Sequence, residues 1–227
     1  IFIVFVAGIL LLALTTVSRT QVGFWANSIT LYSHTLRVTE NNFRMHNNLA
    51  LALADAGRYE QSLVHMRVAL EPKPNYPDYM NNLGYILMEQ GRYEEAIHNF
   101  EKAIKLDSKK WELHHNLATA LMRTGQANDA ISHYHIALNL APKNKQVLND
   151  LANTMVRQGR IADALPYYSK ALSRDTNDPE IHNNYGVALI QMGRIKTAVM
   201  HFRKALQLKP DYAAARENLK KALKLQP

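Results

Sequence analysis

A period of 34 residues governs most of this chain. Gly57, Gly91, Gly125, Gly159 and Gly193 are each 34 positions apart, and so are Ala69, Ala103, Ala137, Ala171 and Ala205. Ser62, Ala96, Ala130, Ala164 and Ala198 form a third series; Leu49, Leu83, Leu117, Leu151 and Tyr185 form a fourth. From residue 43 onward the register runs without insertion or deletion. A fixed period of this length marks one supersecondary unit copied in tandem, each copy burying its apolar face against its neighbours, which is a solenoid.

The residues inside one period spell two helices. Each glycine of the first series suits the left-handed position just past the end of a first helix. The small residue after the leucine (Ala50, Gly84, Ala118, Ala152, Gly186) lets two helices approach closely. The bulky series Met66, Phe100, Tyr134, Tyr168 and Phe202 fills the space between neighbouring hairpins. Pro74, Pro142 and Pro210 stand at the turns between repeats, where a missing N–H costs little.

These recurring residues, clearest in Asn82-Leu83-Gly84 followed by Ala96, Phe100 and Ala103, resemble the tetratricopeptide repeat over roughly residues 43–226. The resemblance implies an all-α fold, a right-handed superhelical solenoid of antiparallel helix pairs. Two departures stand out. The tryptophan of the family pattern is replaced by His46, Met80, His114, Leu148 and His182. Pro166 falls inside a second helix, whose first turn it is expected to bend or shorten.

The register divides the chain into segments. Residues 43–212 form five repeats, 43–76, 77–110, 111–144, 145–178 and 179–212. Residues 213–227 read as a C-terminal capping helix. Shifting back by 34 places Trp25 under Tyr59 and Tyr93, so residues 19–42 hold an orphan capping helix. Residues 1–18 read as a hydrophobic, transmembrane-like helix. Ile1 to Val17 carry no charge and as a helix would span about 25 Å, slightly short of a ~30 Å hydrocarbon core. Three origins stay open for this segment: a membrane anchor or last helix of a polytopic protein, the core of an assembly of copies, or a truncation artefact. The second resembles processed type IV pilins, although Phe5 stands where their bacterial members carry glutamate.

Along the first helices, the position just before the leucine reads Asn48, Asn82, Asn116, Asp150, Asn184 and Asn218. Asparagine costs several tenths of a kcal/mol in a helix interior relative to alanine, so its recurrence needs a reason. A carboxamide donates and accepts together and can grip a peptide backbone regardless of sequence. The row resembles the asparagine ladder in the tetratricopeptide superhelix of O-linked N-acetylglucosamine transferases. That resemblance implies backbone contacts from the asparagines to a peptide or protein partner on the concave face. Asp150 departs from the row by lacking the donor, and Tyr85, one turn on, is expected to add side-chain selectivity. The alternative is that these side chains bond across adjacent first helices and hold the repeats in register.

Composition narrows the chemistry. With no cysteine, disulfides, thiolate metal sites and cysteine nucleophiles are excluded. The formal charge of +8 resolves along the chain. Residues 194–227 hold nine basic and two acidic side chains, and the preceding 193 residues are nearly balanced. That end lacks interleaved aromatics, so nucleic acid is not an expected partner. The ten histidines show no His-Glu-x-x-His or similar spacing and are expected on the surface, without a metal. No phosphate-binding glycine loop or Gly-x-Ser-x-Gly is present. No cofactor and no enzymatic activity are expected.

The expected function is a non-enzymatic interaction scaffold, tethered to a membrane through residues 1–17. Two alternatives remain: a self-assembling subunit of a pilus-like filament, and the C-terminal part of a polytopic glycosyltransferase bearing tetratricopeptide repeats. The comparisons with pilins and glycosyltransferases place the solenoid on the outer side of a membrane or in a cell-surface assembly.

Overall fold

The computed structural model describes residues 27–173 and 177–225. The hydrophobic helix expected at residues 1–18 and the first part of the orphan segment lie outside the described residues. No described helix is long and apolar enough to cross a membrane. The described residues form twelve α-helices and no strand. A lone helix, α1 (Ser28–Val38), comes first. Five hairpins follow: α2/α3 (Phe43–Asp55, Tyr59–Leu70), α4/α5 (Pro77–Glu89, Tyr93–Leu106), α6/α7 (Trp111–Arg123, Ala127–Leu140), α8/α9 (Lys145–Arg157, Ile161–Leu172) and α10/α11 (Pro179–Gln191, Ile195–Leu208). The last helix is α12 (Ala213–Lys224).

The chain divides into two compact units after Leu106. In unit 1, each helix from α1 to α5 packs on the next, and α2 also packs on α4. In unit 2, each helix from α6 to α12 packs on the next, and the first helices α6, α8, α10 and α12 form their own stacked layer. The sequence signals explain these elements. Asn42, Asn144 and Asp178 cap α2, α8 and α10 by accepting from backbone N–H groups of the first turn. The first helix of each of the five hairpins ends the same way. In α2 the N–H of Gly57 bonds the carbonyl of Ala54 and that of Arg58 the carbonyl of Leu53, with Gly57 at φ +72°. This pair of bonds closes the helix end through a left-handed residue that glycine adopts without a Cβ penalty.

The alanine series at 69, 103, 137, 171 and 205 is fully buried. Beside it the bulky series, from Met66 and Phe100 to Tyr168 and Phe202, is buried to within 2%. Small against large gives the interdigitation that dense packing requires. Pro166 does not shorten its helix: α9 begins at Ile161, in register with Tyr59, Tyr93, Ala127 and Ile195, and continues through the proline to Leu172. Its first turn is not shortened, because tertiary packing of Ala164, Leu165 and Tyr168 outweighs one lost backbone hydrogen bond.

Candidate interaction face of the first helices

Two neighbouring positions on each first helix build a double rail of polar side chains. The residues at 47, 115, 149 and 183 are buried, whereas those at 48, 82, 116, 150, 184 and 218 are half-buried. Within each unit the rails are cross-linked from one repeat to the next. In unit 1, Asn82 Nδ2 donates to Asn47 Oδ1 over 2.8 Å, and Asn47 Nδ2 donates to Asn48 Oδ1 over 3.2 Å. In unit 2, Asn184 Nδ2 donates to Asn149 Oδ1 (3.3 Å) and Asn218 Nδ2 to Asn183 Oδ1 (2.9 Å). Within single helices, Asn149 donates to Asp150 and Asn183 to Asn184. A buried amide left without partners costs about 1–3 kcal/mol. The ladder removes that cost: no described buried side-chain polar atom lacks a partner.

Asp150 occupies its rung by a compensated exchange. It offers no donor, and the residue it faces one repeat earlier is His115 rather than asparagine, with Nε2 2.9 Å from Asp150 Oδ2. The predicted residues Asn48, Asn82, Asp150, Asn184 and Asn218 are therefore joined in ladders within the two units, and half-buried Asn116 holds the equivalent position on α6. Tyr85 lies one turn on from Asn82 and donates its hydroxyl to Asp55 over 3.3 Å. Burial, and then the carboxylates of Glu89 and Asp55, push its phenol up to about 12. In unit 2 the matching positions are Thr119, 3.2 Å from the Tyr134 hydroxyl, and Asn153, whose Oδ1 accepts from Tyr168 over 2.6 Å.

The histidines are not a surface population. His114, His115 and His182 are buried. Three pairs, His46–His65, His114–His133 and His182–His201, join the two helices of a hairpin with Nδ1 atoms 2.9–3.0 Å apart. Ring centres 5.1–5.3 Å apart put the nitrogens between the rings, in a head-on N–H···N bond. Burial lowers the pKa of His46, His65 and His114, and that of His201 falls to about 4 through burial and the facing His182. The signal was present in the sequence: His46, His114 and His182 recur every 68 residues, and so do His65, His133 and His201. Only every second repeat carries the pair, so a search at 34 residues passes over it. Among the described residues no three metal-ligating side chains come together.

The sequence matches the profile of the tetratricopeptide-repeat domain of cytochrome c-type biogenesis protein H over residues 59–181. Two further tetratricopeptide-repeat profiles match residues 19–77 and 167–200. No curated protein matches. Among solved structures, the chain is similar to YrrB, described as a TPR protein with an unusual peptide-binding site (20% identity, TM-score 0.62, covering 83% of this chain and 97% of that one). It is also similar to PilF of Pseudomonas aeruginosa (20% identity, TM-score 0.70, 81% and 90% covered). A third similar structure is MamA (22% identity, TM-score 0.63, 71% and 95% covered). At these identities the likeness concerns the fold.

Proposed function

Because the chain belongs to the tetratricopeptide-repeat family, we propose that it is a non-enzymatic interaction module that binds an extended peptide along the first-helix face of its repeats. Stacked helix pairs of this family suit protein–protein interaction. The observation that carries the peptide reading is the state of the half-buried rail. Asn184 spends one N–H on Asn149 and one lone pair on the Asn183 amide. A carboxamide holds two of each, so one donor and one acceptor remain on its open side. A peptide unit presents the complementary N–H and C=O. Ladder and ligand then use opposite edges of the same side chains: the inner edge sets the register and the outer edge reads a backbone.

The uncharged stretch at residues 1–17 supplies the apolar surface through which the module is tethered to a membrane. Peptide binding is tested with an immobilised random dodecapeptide library incubated with the full chain. The wild type retains peptides, and the Asn82→Ala/Asn184→Ala variant loses at least tenfold of that retention with unchanged helical circular dichroism. Undiminished retention in an intact variant would leave the ladder with its register role alone.

A further inference from the structure

At the C-terminal end of the first helices the repeats change sign. The residue in register is Asp55 on α2 and Glu89 on α4, within unit 1. It is Arg123 on α6 and Arg157 on α8, within unit 2. The basic pair is therefore a property of repeats three and four, not of the 34-residue pattern. Arg123 and Arg157 line one pocket of about 150 Å³ together with Thr119, Tyr134, Asp150 and Asn153. Both arginines are exposed, and neither is held by a hydrogen bond or ion pair among the described residues.

The pocket's other groups are already committed. Asp150 accepts from His115 on one oxygen and from Asn149 on the other. Thr119 bonds the Tyr134 hydroxyl. Asn153 receives the Tyr168 hydroxyl on Oδ1, so what its amide turns outward is its NH₂ group. Two guanidinium groups and one amide donor thus face a space with a single fixed carboxylate. Donors exceed acceptors, and the charge is one anion short of neutral. Arginine's planar fork matches a carboxylate through paired, charge-assisted hydrogen bonds.

We propose that this pocket receives the carboxylate of an aspartate or glutamate side chain carried by the bound peptide, so that unit 2 selects acidic segments. The proposal rests on the first-helix face being the peptide-binding face. Asp150 belongs both to the ladder and to the pocket wall, so a backbone lying on the ladder brings a neighbouring side chain to Arg123 and Arg157. With one excess positive charge, the pocket is balanced by a carboxylate.

The test is selection by the full chain from a random dodecapeptide library with amidated C-termini. Wild type is compared with Arg123→Gln/Arg157→Gln and Arg123→Glu/Arg157→Glu, all checked for equal helicity. The expected result is at least fivefold enrichment of Asp or Glu at one position. The Gln variant loses this enrichment, and the Glu variant replaces it with enrichment of Lys or Arg. Retained peptides without acidic preference, or a preference unchanged in both variants, would overturn the acidic-pocket proposal and leave peptide binding standing. Enrichment that appears only with free C-termini would assign the pocket to a terminal carboxylate and overturn the side-chain assignment. Retention of no peptide by any of the three proteins would overturn both proposals together.

Discussion

His182 and His201 face each other through Nδ1 atoms 2.9 Å apart, tying the first helix of the last hairpin to the second. One ring must donate and the other accept, so the bond fails when both rings are protonated. His201 titrates near 4 in the folded chain, lowered by burial and then by the charge of His182. The unfolded chain binds this proton near 6.5. Stability from this group is therefore complete above about pH 6.5 and is lost as the pH falls towards 4, by roughly 2 kcal/mol once the shift is discounted for solvent screening at this half-buried ring. Urea unfolding between pH 7.5 and 4.5 should show this decline, and His201→Gln should flatten its slope. An equal slope in the variant would remove the pair as its cause.

Gly84 lies beneath a buried aromatic ring. A Cβ at this position would stand 2.6 Å from Phe100 Cε1, with two more ring atoms inside 3.0 Å. Phe100 is fully buried and cannot swing away. Gly84→Ala should destabilise the chain by about 1–2 kcal/mol, overpacking outweighing the gain in helix propensity. Repeat one pairs Ala50 with Met66 at the same positions. Gly84→Ala combined with Phe100→Met should recover at least half of the loss, read as coupling in a double-mutant cycle of thermal melts.

The His115–Asp150 rung replaces an amide pair with an equivalent one. Asp150→Asn alone introduces an NH₂ group facing the ring and should cost about 1–2 kcal/mol. Adding His115→Asn rebuilds the asparagine pair seen at Asn184–Asn149 and should restore most of the loss. Additive costs in chemical denaturation would show that the two residues do not act as one rung.

Gly159 has φ +74° and nothing within 4 Å of a built Cβ. Its substitution therefore tests backbone conformation alone. Gly159→Ala should cost about 1–2 kcal/mol, and Gly159→Asn clearly less, since asparagine tolerates the left-handed region. Equal melting points for both variants would contradict this.

The hairpins were legible in the residues. The glycine, alanine and bulky series sit where the structure puts turns, tight contacts and core, because a 34-residue period records which face of each copy meets the next. The asparagine row was legible as a pattern, but its use was not: the same carboxamide can bond a neighbouring helix, a ligand, or one on each edge. The histidine pairs were missed because 68-residue spacing crosses two copies, and because i and i+19 say nothing until the angle between two helices is set.

Taken alone, the amino-acid order settles the helical hairpins, their ends and their apolar faces, since these depend on local conformation and on contacts repeated identically in every copy. It required the folded chain to join Asn82 to Asn47, His115 to Asp150, and His182 to His201. Such bonds depend on side-chain positions to within a few tenths of an ångström, which arise only when separate helices pack. The opposite signs at Asp55 and Glu89 against Arg123 and Arg157 were written in the order of residues, but the 150 Å³ pocket beside the two arginines exists only where α6, α7 and α8 come together.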